Sequence, residues 1–180
     1  AVYLKNNLKN IPPEVGKLIN RIPYSQRPGI GSVYKLRKKE IEEYELFTAD
    51  QKKEFIFNRM QAIVVYAYNN ISFYKEYYDS KGFHPNDLKT FADIDLIPII
   101  EKKILNQYDL EKRSKLVKER YLVNTGGSSG TPFGFYIQPD SMGHEWAHMH
   151  KIWSKLGFKH TDLKLVFGGR SDVKNFVQYD

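Results

Sequence analysis

The sequence predicts an α/β fold in which a helical N-terminal region leads into an incomplete α/β sheet. Apolar residues recur at helical spacing across much of residues 1–120. From residue 121 onward, two short segments rich in aromatic and β-branched residues flank a Gly/Ser loop, and a further helical pattern follows. We therefore expect a mostly helical region over residues 1–120 and the start of an α/β sheet over residues 121–180, both within one truncated domain.

The composition fits a globular protein of a single domain. The 180 residues are 41% hydrophobic and 27% charged, which argues against a disordered chain. The absence of cysteine excludes disulfides, thiolate zinc sites and cysteine nucleophiles. No apolar run is long enough to span a membrane, and the N-terminus lacks the apolar core of a signal peptide. The cytoplasm is therefore the expected location.

The formal net charge of +7 makes a basic nucleic-acid-binding module an alternative to consider. The densest basic run, residues 35–39, is followed within six positions by four glutamates. Such mixed charge is typical of a solvated helix face. The charge therefore supports a mild attraction to anionic ligands, nucleotides included, and no nucleic-acid partner is expected.

Capping signals mark the predicted helices of the N-terminal region. The first helix is expected over residues 48–68, because Thr48 and Gln51 match a capping box and Ile56, Met60, Ile63 and Ala67 recur at helical spacing. The second is expected to begin at Ser72 and to be closed by Gly82. Shorter helical segments are expected from Pro85 and from about Glu101. The tyrosines of this region have a spacing that favours packing over base stacking: Tyr66, Tyr68, Tyr74, Tyr77 and Tyr78.

The predicted sheet begins with two strands, residues 121–123 and 133–137, and a third strand is expected over residues 163–167. Between them, a helix is expected from a Ser141 cap to about Leu156, where Gly157 can end it. Its apolar face would be formed by Met142, Trp146, Met149, Trp153 and Leu156. Because two or three strands bury little surface, we expect the chain to be part of a larger domain.

The segment Asn124–Phe135 has the composition of a phosphate-binding loop. Glycines let the backbone approach a ligand, successive backbone N–H groups can form an anion-binding nest, and hydroxyls add donors. The loop matches neither a Walker A motif nor a dinucleotide fingerprint. From its chemistry alone, a flexible surface turn fits equally well.

Several segments of the chain resemble the adenylate-forming superfamily. Thr125–Pro132 is similar to its T-[SG]-G-[ST]-[ST]-G-x-P loop, above all in the branch of phenylacetate–coenzyme A ligases and CapK-type capsular polysaccharide biosynthesis proteins. Tyr66–Lys75 resembles that branch's A-x-x-x-S-P-F-Y segment, and Asp87–Pro98 resembles its D-I-x-S-L-E-D-L-x-x-L-P segment. Lys102–Ile104 resembles the T-K-E-D-L that follows. The order and spacing of these segments carry the resemblance, over about residues 55–170.

The resemblance implies an ATP-dependent ligase that activates a small-molecule carboxylate as an acyl-adenylate and releases pyrophosphate, usually with Mg²⁺. Coenzyme A, a carrier protein or a sugar amine would then accept the acyl group. The implied fold is the large N-terminal domain of such an enzyme. The loop residues that it assigns to the ATP phosphates, through hydroxyls or backbone, are Thr125, Gly126, Gly127, Ser128, Ser129, Gly130 and Thr131.

Two departures from the family pattern limit the expectation. Many superfamily loops place a lysine after the proline, where this chain has Phe133. The adenine-, ribose- and Mg²⁺-binding motifs and the catalytic lysine of the family are expected downstream of Asp180. We therefore expect this 180-residue piece to be inactive alone, with its catalytic residues unknown.

One further motif offers a different chemistry. His144, Glu145 and His148 match H-E-x-x-H, which on a helix can hold zinc and supply a general base. The third ligand of the extended pattern is missing, since Lys151 and Ser154 stand at the Gly and His positions. A polar helix face is the simpler interpretation, and a zinc hydrolase remains the alternative.

Overall fold

The computed structural model describes residues 12–125, 132–159 and 162. The helices are α1 (Pro13–Asn20), α2 (Gly31–Glu45), α3 (Ala49–Asn70), α4 (Ser72–Ser80), α5 (Lys102–Leu105) and α6 (Ser141–Ser154). Two strands, β1 (Tyr121–Asn124) and β2 (Gly134–Ile137), lie between α5 and α6, and short 3₁₀ turns cover Tyr24–Gln26, Pro85–Asp87 and Phe91–Leu96. The described chain is thus helical with a small two-stranded antiparallel sheet, as an α/β fragment should be.

The chain divides into two compact units. The first unit comprises Ala1–Glu43 and Pro139–Asp180, and the second comprises Tyr44–Gln138. The sequence-based boundary at residue 120 and the assignment of the sheet to an adenylate-forming domain remain predictions. The expected third strand, residues 163–167, lies outside the described residues. No helix in the described part of the chain is both long and apolar enough to cross a membrane.

In the first unit, α6 packs closely against the N-terminal end of α2. A Cβ added to Gly143 would lie 2.8 Å from the carbonyl oxygen of Ile30 and 3.0 Å from the amide nitrogen of Tyr34. Ala147, one turn further along α6, is only 2% exposed. Gly143 and Ala147 therefore form the contact line of this helix pair.

The observed contact line corrects the predicted apolar face of α6. Met142, Trp146, Met149 and Trp153 are only partly buried, and they flank the line instead of forming it. The fifth predicted residue, Leu156, follows the end of α6 and is 86% exposed. The reason is steric, because two helix backbones approach closely only where the side chains between them are small. The N-cap position is held by Asp140, without a side-chain cap hydrogen bond, and not by Ser141 as predicted. Gly157, with φ +83°, follows the helix where a stop was expected.

The exposed face of α2 confirms the interpretation of the mixed charge run. Lys38 and Glu42 lie 3.8 Å apart, and Lys39 and Glu43 lie 3.5 Å apart, all with largely exposed side chains. These i,i+4 pairs are the arrangement expected of a solvated helix face, and each contributes little to stability.

In the second unit, α3 begins at the predicted capping box. The Thr48 hydroxyl accepts a hydrogen bond from the Gln51 backbone N–H at 3.3 Å, and the Gln51 side-chain oxygen accepts one from the Thr48 N–H at 2.9 Å. The buried face of α3 runs through Val64 and Ala67, whereas Ile63 is 65% exposed. The helix was thus predicted correctly and Ala67 lies on its buried face, whereas the placement of Ile63 on that face was wrong.

The core of the second unit is largely aromatic. Val64, Tyr78, Phe83 and Leu88 form one buried cluster, with Tyr74, Tyr77 and Tyr68 packed against it. Phe73 is completely buried, and its ring lies 4.8 Å from that of Tyr108. The predicted packing role of the tyrosines is confirmed for these residues, while Tyr66 is 51% exposed.

Candidate phosphate-binding hairpin

The segment assigned to phosphate binding is carried by a β-hairpin of the second unit. β1 and β2 pair antiparallel, with Tyr121 opposite Ile137 and Asn124 opposite Gly134. One step beyond the last pair, the Thr125 N–H donates to the Phe133 carbonyl at 3.0 Å. The two strands predicted on either side of the loop are therefore present, and their pairing brings the two ends of the loop together.

Thr125 is the one predicted phosphate ligand whose surroundings are described. Its hydroxyl oxygen accepts a hydrogen bond from the Phe133 N–H at 3.1 Å. A threonine hydroxyl also carries one O–H donor, so this contact leaves the donor available for an anion. The other predicted ligands, Gly126, Gly127, Ser128, Ser129, Gly130 and Thr131, lie outside the described residues, and their role remains a prediction.

Gly134 opens β2 at a position with little space for a side chain. A Cβ there would lie 3.0 Å from the side-chain oxygen of Asn124, the residue that pairs with it across the hairpin, and 3.4 Å from a methyl carbon of Leu122. Glycine at this position therefore allows the Asn124 side chain to lie over the end of the ladder, beside the start of the loop.

Arg113 is a residue of this site that sequence reasoning did not identify. Its Nη1 donates to the Gly134 carbonyl at 2.7 Å, and its Nε donates to the Tyr108 carbonyl at 3.3 Å. The guanidinium carbon also lies 4.5 Å from the centre of the Phe133 ring, which is a cation–π contact. One arginine thus joins the segment before the hairpin to Phe133 and Gly134, near the C-terminal end of the loop segment.

The segment that carries Arg113 is itself fixed to the helical core. The Lys112 carbonyl accepts hydrogen bonds from the Phe73 N–H at 3.1 Å and from the Ser72 hydroxyl at 3.2 Å. These donors belong to the first turn of α4, whose backbone N–H groups have no partner within the helix. The start of α4, the Lys112–Arg113 segment and the end of the loop therefore form one continuous hydrogen-bonded chain.

The alternative zinc motif lies in the first unit, on α6. His144 Nδ1 accepts a hydrogen bond from Arg37 Nε at 2.9 Å. This ring nitrogen of the candidate zinc ligand is therefore hydrogen-bonded to a positively charged guanidinium. Burial, followed by the Arg37 charge, lowers the pKa of His144 below its ordinary value. Across the described residues, no group of three or more His, Cys, Asp or Glu side chains is placed to hold a metal ion.

Comparison with known proteins gave one informative match. A 63-residue segment, 35% of this chain, is 33% identical to a phenylacetate-coenzyme A ligase of Aromatoleum evansii and spans 14% of that ligase. No family model and no solved structure matches the chain. The match supports a relationship to adenylate-forming ligases and no finer assignment.

Proposed function

We propose that this chain contributes the ATP phosphate-binding loop of a ligase that activates a carboxylate as its acyl-adenylate. The observation that carries the proposal is the hairpin itself: paired strands close at Thr125 and Phe133 around a loop composed of glycine and hydroxyl residues. The resemblance of the flanking segments and the partial match to a phenylacetate-coenzyme A ligase support the same reaction class.

The residues present suit a polyphosphate. Residues 126–131 offer five backbone N–H groups from glycine and serine, one from Thr131, and hydroxyls from Ser128, Ser129 and Thr131. Thr125 adds a hydroxyl donor at the entrance, and Arg113 adds a positive charge at the exit. When bound, ATP with Mg²⁺ would supply the adenylyl group, which passes to the carboxylate oxygen as pyrophosphate leaves. The loop would hold the β- and γ-phosphates and so orient that leaving group.

The finer parts of the proposal concern the substrate and the acceptor. The relative's name makes a carboxylate of the phenylacetate kind and coenzyme A the first acid and acceptor to examine. A CapK-type role in polysaccharide biosynthesis, with a sugar amine as acceptor, rests on the resemblance of the sequence segments alone. The coenzyme A ligase role and the polysaccharide role would use the same phosphate-binding loop. The loop is therefore tested before the acid and the acceptor are.

Calorimetric titration with ATP, tripolyphosphate and AMP tests the loop directly, on the chain extended beyond Asp180 by the nucleotide-binding motifs that the resemblance implies. We expect ATP and tripolyphosphate to bind and AMP to bind much more weakly, because AMP lacks the β- and γ-phosphates. Ser128→Ala removes one hydrogen bond to a charged group, and we expect it to weaken ATP binding by roughly 10- to 150-fold. Gly130→Val should abolish binding by blocking the close approach of the backbone.

Ser32→Ala provides the matched control, because it removes an exposed hydroxyl from α2 in the other unit. We expect this variant to bind ATP like the unchanged chain. Equal affinity for AMP and ATP, or ATP binding that survives both loop substitutions, would contradict the assignment of residues 125–131.

A further inference from the structure

We propose that the first unit carries a ligand site of its own, a cavity between α2 and α6 that binds a small organic anion with an apolar body. The cavity has a volume of about 310 Å³, which lies at the lower end of the range of small-molecule sites. All the residues that line it are described and belong to the first unit. The site therefore uses no residue of the phosphate-binding loop proposed for the second unit.

The cavity begins where the close contact between the two helices ends. Gly143 brings the backbone of α6 against that of α2. One turn further along α6, Ala147 is only 2% exposed and lines the inner end of the cavity. Beyond Ala147, the cavity is bordered by Lys38 of α2 and Lys151 of α6. A lysine keeps its ammonium group in water and does not fill the space between two helices, so this space remains open to a ligand.

One wall of the cavity is aromatic and held in place. It consists of Tyr34, His150 and Phe158, and the His150 ring centre lies 5.7 Å from that of Tyr34 and 6.3 Å from that of Phe158. The Tyr34 hydroxyl and His150 Nδ1 also form a hydrogen bond at 3.0 Å. The rings of Tyr24 and Trp146 lie 4.5 Å and 5.4 Å from that of His150. Because these contacts fix the wall in advance, a flat apolar body can stack on it without ordering it first.

The charged residues that line the cavity are mostly basic. Three lysines, Lys38, Lys151 and Lys159, stand against one acidic residue, Glu42, so the formal charge of the lining is +2 with histidine neutral. Lys38 and Glu42 lie 3.8 Å apart and offset one another, which leaves the formal excess with the other two lysines. Positive charges gathered around a partly apolar cavity attract an anion and disfavour a cation.

The ligand has to match both the aromatic wall and the lysines. An inorganic anion would leave the wall uncovered, and a neutral apolar molecule would make no use of the charge. One aromatic ring that bears one acidic group has both properties and suits a cavity of this volume. p-Toluenesulfonate is a probe of this chemistry. Because it is not a carboxylate, it cannot be activated as an acyl-adenylate, which separates this site from the proposed ligase reaction.

The experiment compares three probes by ligand-observed NMR titration, on the same extended chain as the ATP titration. p-Toluenesulfonate carries the ring and the charge, p-toluenesulfonamide carries the ring without the charge, and methanesulfonate carries the charge without the ring. We expect p-toluenesulfonate to bind with a Kd of about 1 mM or below, and each of the other two to bind at least about tenfold more weakly.

Two kinds of variant locate the binding in the cavity. Ser154 is exposed at the rim, so Ser154→Phe places a ring in the opening, and the double variant Lys151→Met with Lys159→Met removes the excess charge. We expect each to weaken p-toluenesulfonate binding by about tenfold or more. Ile152→Phe and Lys155→Met are the matched controls, because both residues are exposed beside Ser154 and neither lines the cavity. Both controls should leave the affinity unchanged.

Three results would overturn the proposal: no saturable binding of p-toluenesulfonate, equal affinity for its sulfonamide, or an affinity that survives both cavity variants. Displacement of the probe by ATP would place it at the nucleotide site and would also contradict the cavity assignment. Failure of ATP to bind concerns the phosphate loop alone and leaves this test intact. Circular dichroism verifies the fold of each variant, and the two kinds of variant test the cavity independently if one of them does not fold.

Discussion

Replacing Gly143 by alanine should destabilise the first unit, although alanine is the better helix former. Gly143 is the third residue of α6, so the change from glycine to alanine adds at most the roughly 1 kcal/mol of stability that it adds in a helix interior. A substitution judged by helix propensity alone would therefore be expected to stabilise α6. The close packing of α6 on α2 reverses that expectation.

The magnitude follows from the three atoms that a new Cβ would meet. They are the Ile30 carbonyl oxygen at 2.8 Å, the Tyr34 amide nitrogen at 3.0 Å and the Val33 Cβ at 3.0 Å. Carbon atoms at optimal contact lie about 3.5–4.0 Å apart. Two of the three atoms are backbone atoms and cannot rotate away, so the helices themselves must separate. Overpacking costs about 1–3 kcal/mol, and contact with fixed backbone atoms places the cost near the upper value. After subtraction of about 1 kcal/mol of helix gain, we expect a net loss of about 2 kcal/mol.

Tryptophan fluorescence during urea unfolding measures this loss selectively. The two tryptophans of the chain, Trp146 and Trp153, both lie in α6. Their signal therefore reports the first unit. Ser32→Ala, at an exposed position of α2, is the control and should change stability by less than about 0.5 kcal/mol. A higher urea midpoint for Gly143→Ala than for the unchanged chain would refute the close packing inferred here.

Two other predictions concern the aromatic core and a titrating group. Phe73→Ala removes a completely buried ring and should cost about 3–5 kcal/mol, measured by urea unfolding with far-UV circular dichroism; a loss below about 1 kcal/mol would place Phe73 outside the core. His144 should titrate below its ordinary pKa of 6.5, because burial and then the Arg37 charge disfavour its protonated form, against the opposing charges of Asp140 and Glu40. Since the folded pKa is the lower one, the unfolded chain binds the proton first, and this group's contribution to stability is lost as the pH falls below 6.5. Arg37→Ala should raise the pKa of His144 in an NMR titration, and an unchanged value would show that Arg37 exerts no influence.

The features that could be predicted from the sequence are those determined by residues a few positions apart. The Thr48–Gln51 capping box joins residues three positions apart, and it is formed as predicted. The two strands around the glycine-rich loop were also predicted within one residue of their observed ends. Both rest on local backbone preferences, which any short window of sequence contains.

The features that could not be predicted depend on contacts between distant residues. The small-residue line of α6 is selected by α2, more than 100 positions earlier, and the large aromatic residues beside Gly143 give a stronger hydrophobic signal than the glycine does. Arg113 reaches Gly134 across 21 positions, and nothing in the spacing separates it from the other arginines and lysines of residues 110–120.

The glycine-rich loop presents a physical problem that its own residues do not solve. Glycine loses more conformational freedom on ordering than any other residue, so a loop with three glycines in residues 126–130 is costly to order around a ligand. The ladder between β1 and β2, continued by the two hydrogen bonds between Thr125 and Phe133, holds both ends of the loop, and Arg113 adds contacts to Phe133 and Gly134. With both ends held, only the intervening residues must be ordered when an anion binds, and the closure cost falls with the length of free chain. The affinity of the loop for phosphate should therefore depend on its frame as well as on its hydroxyls.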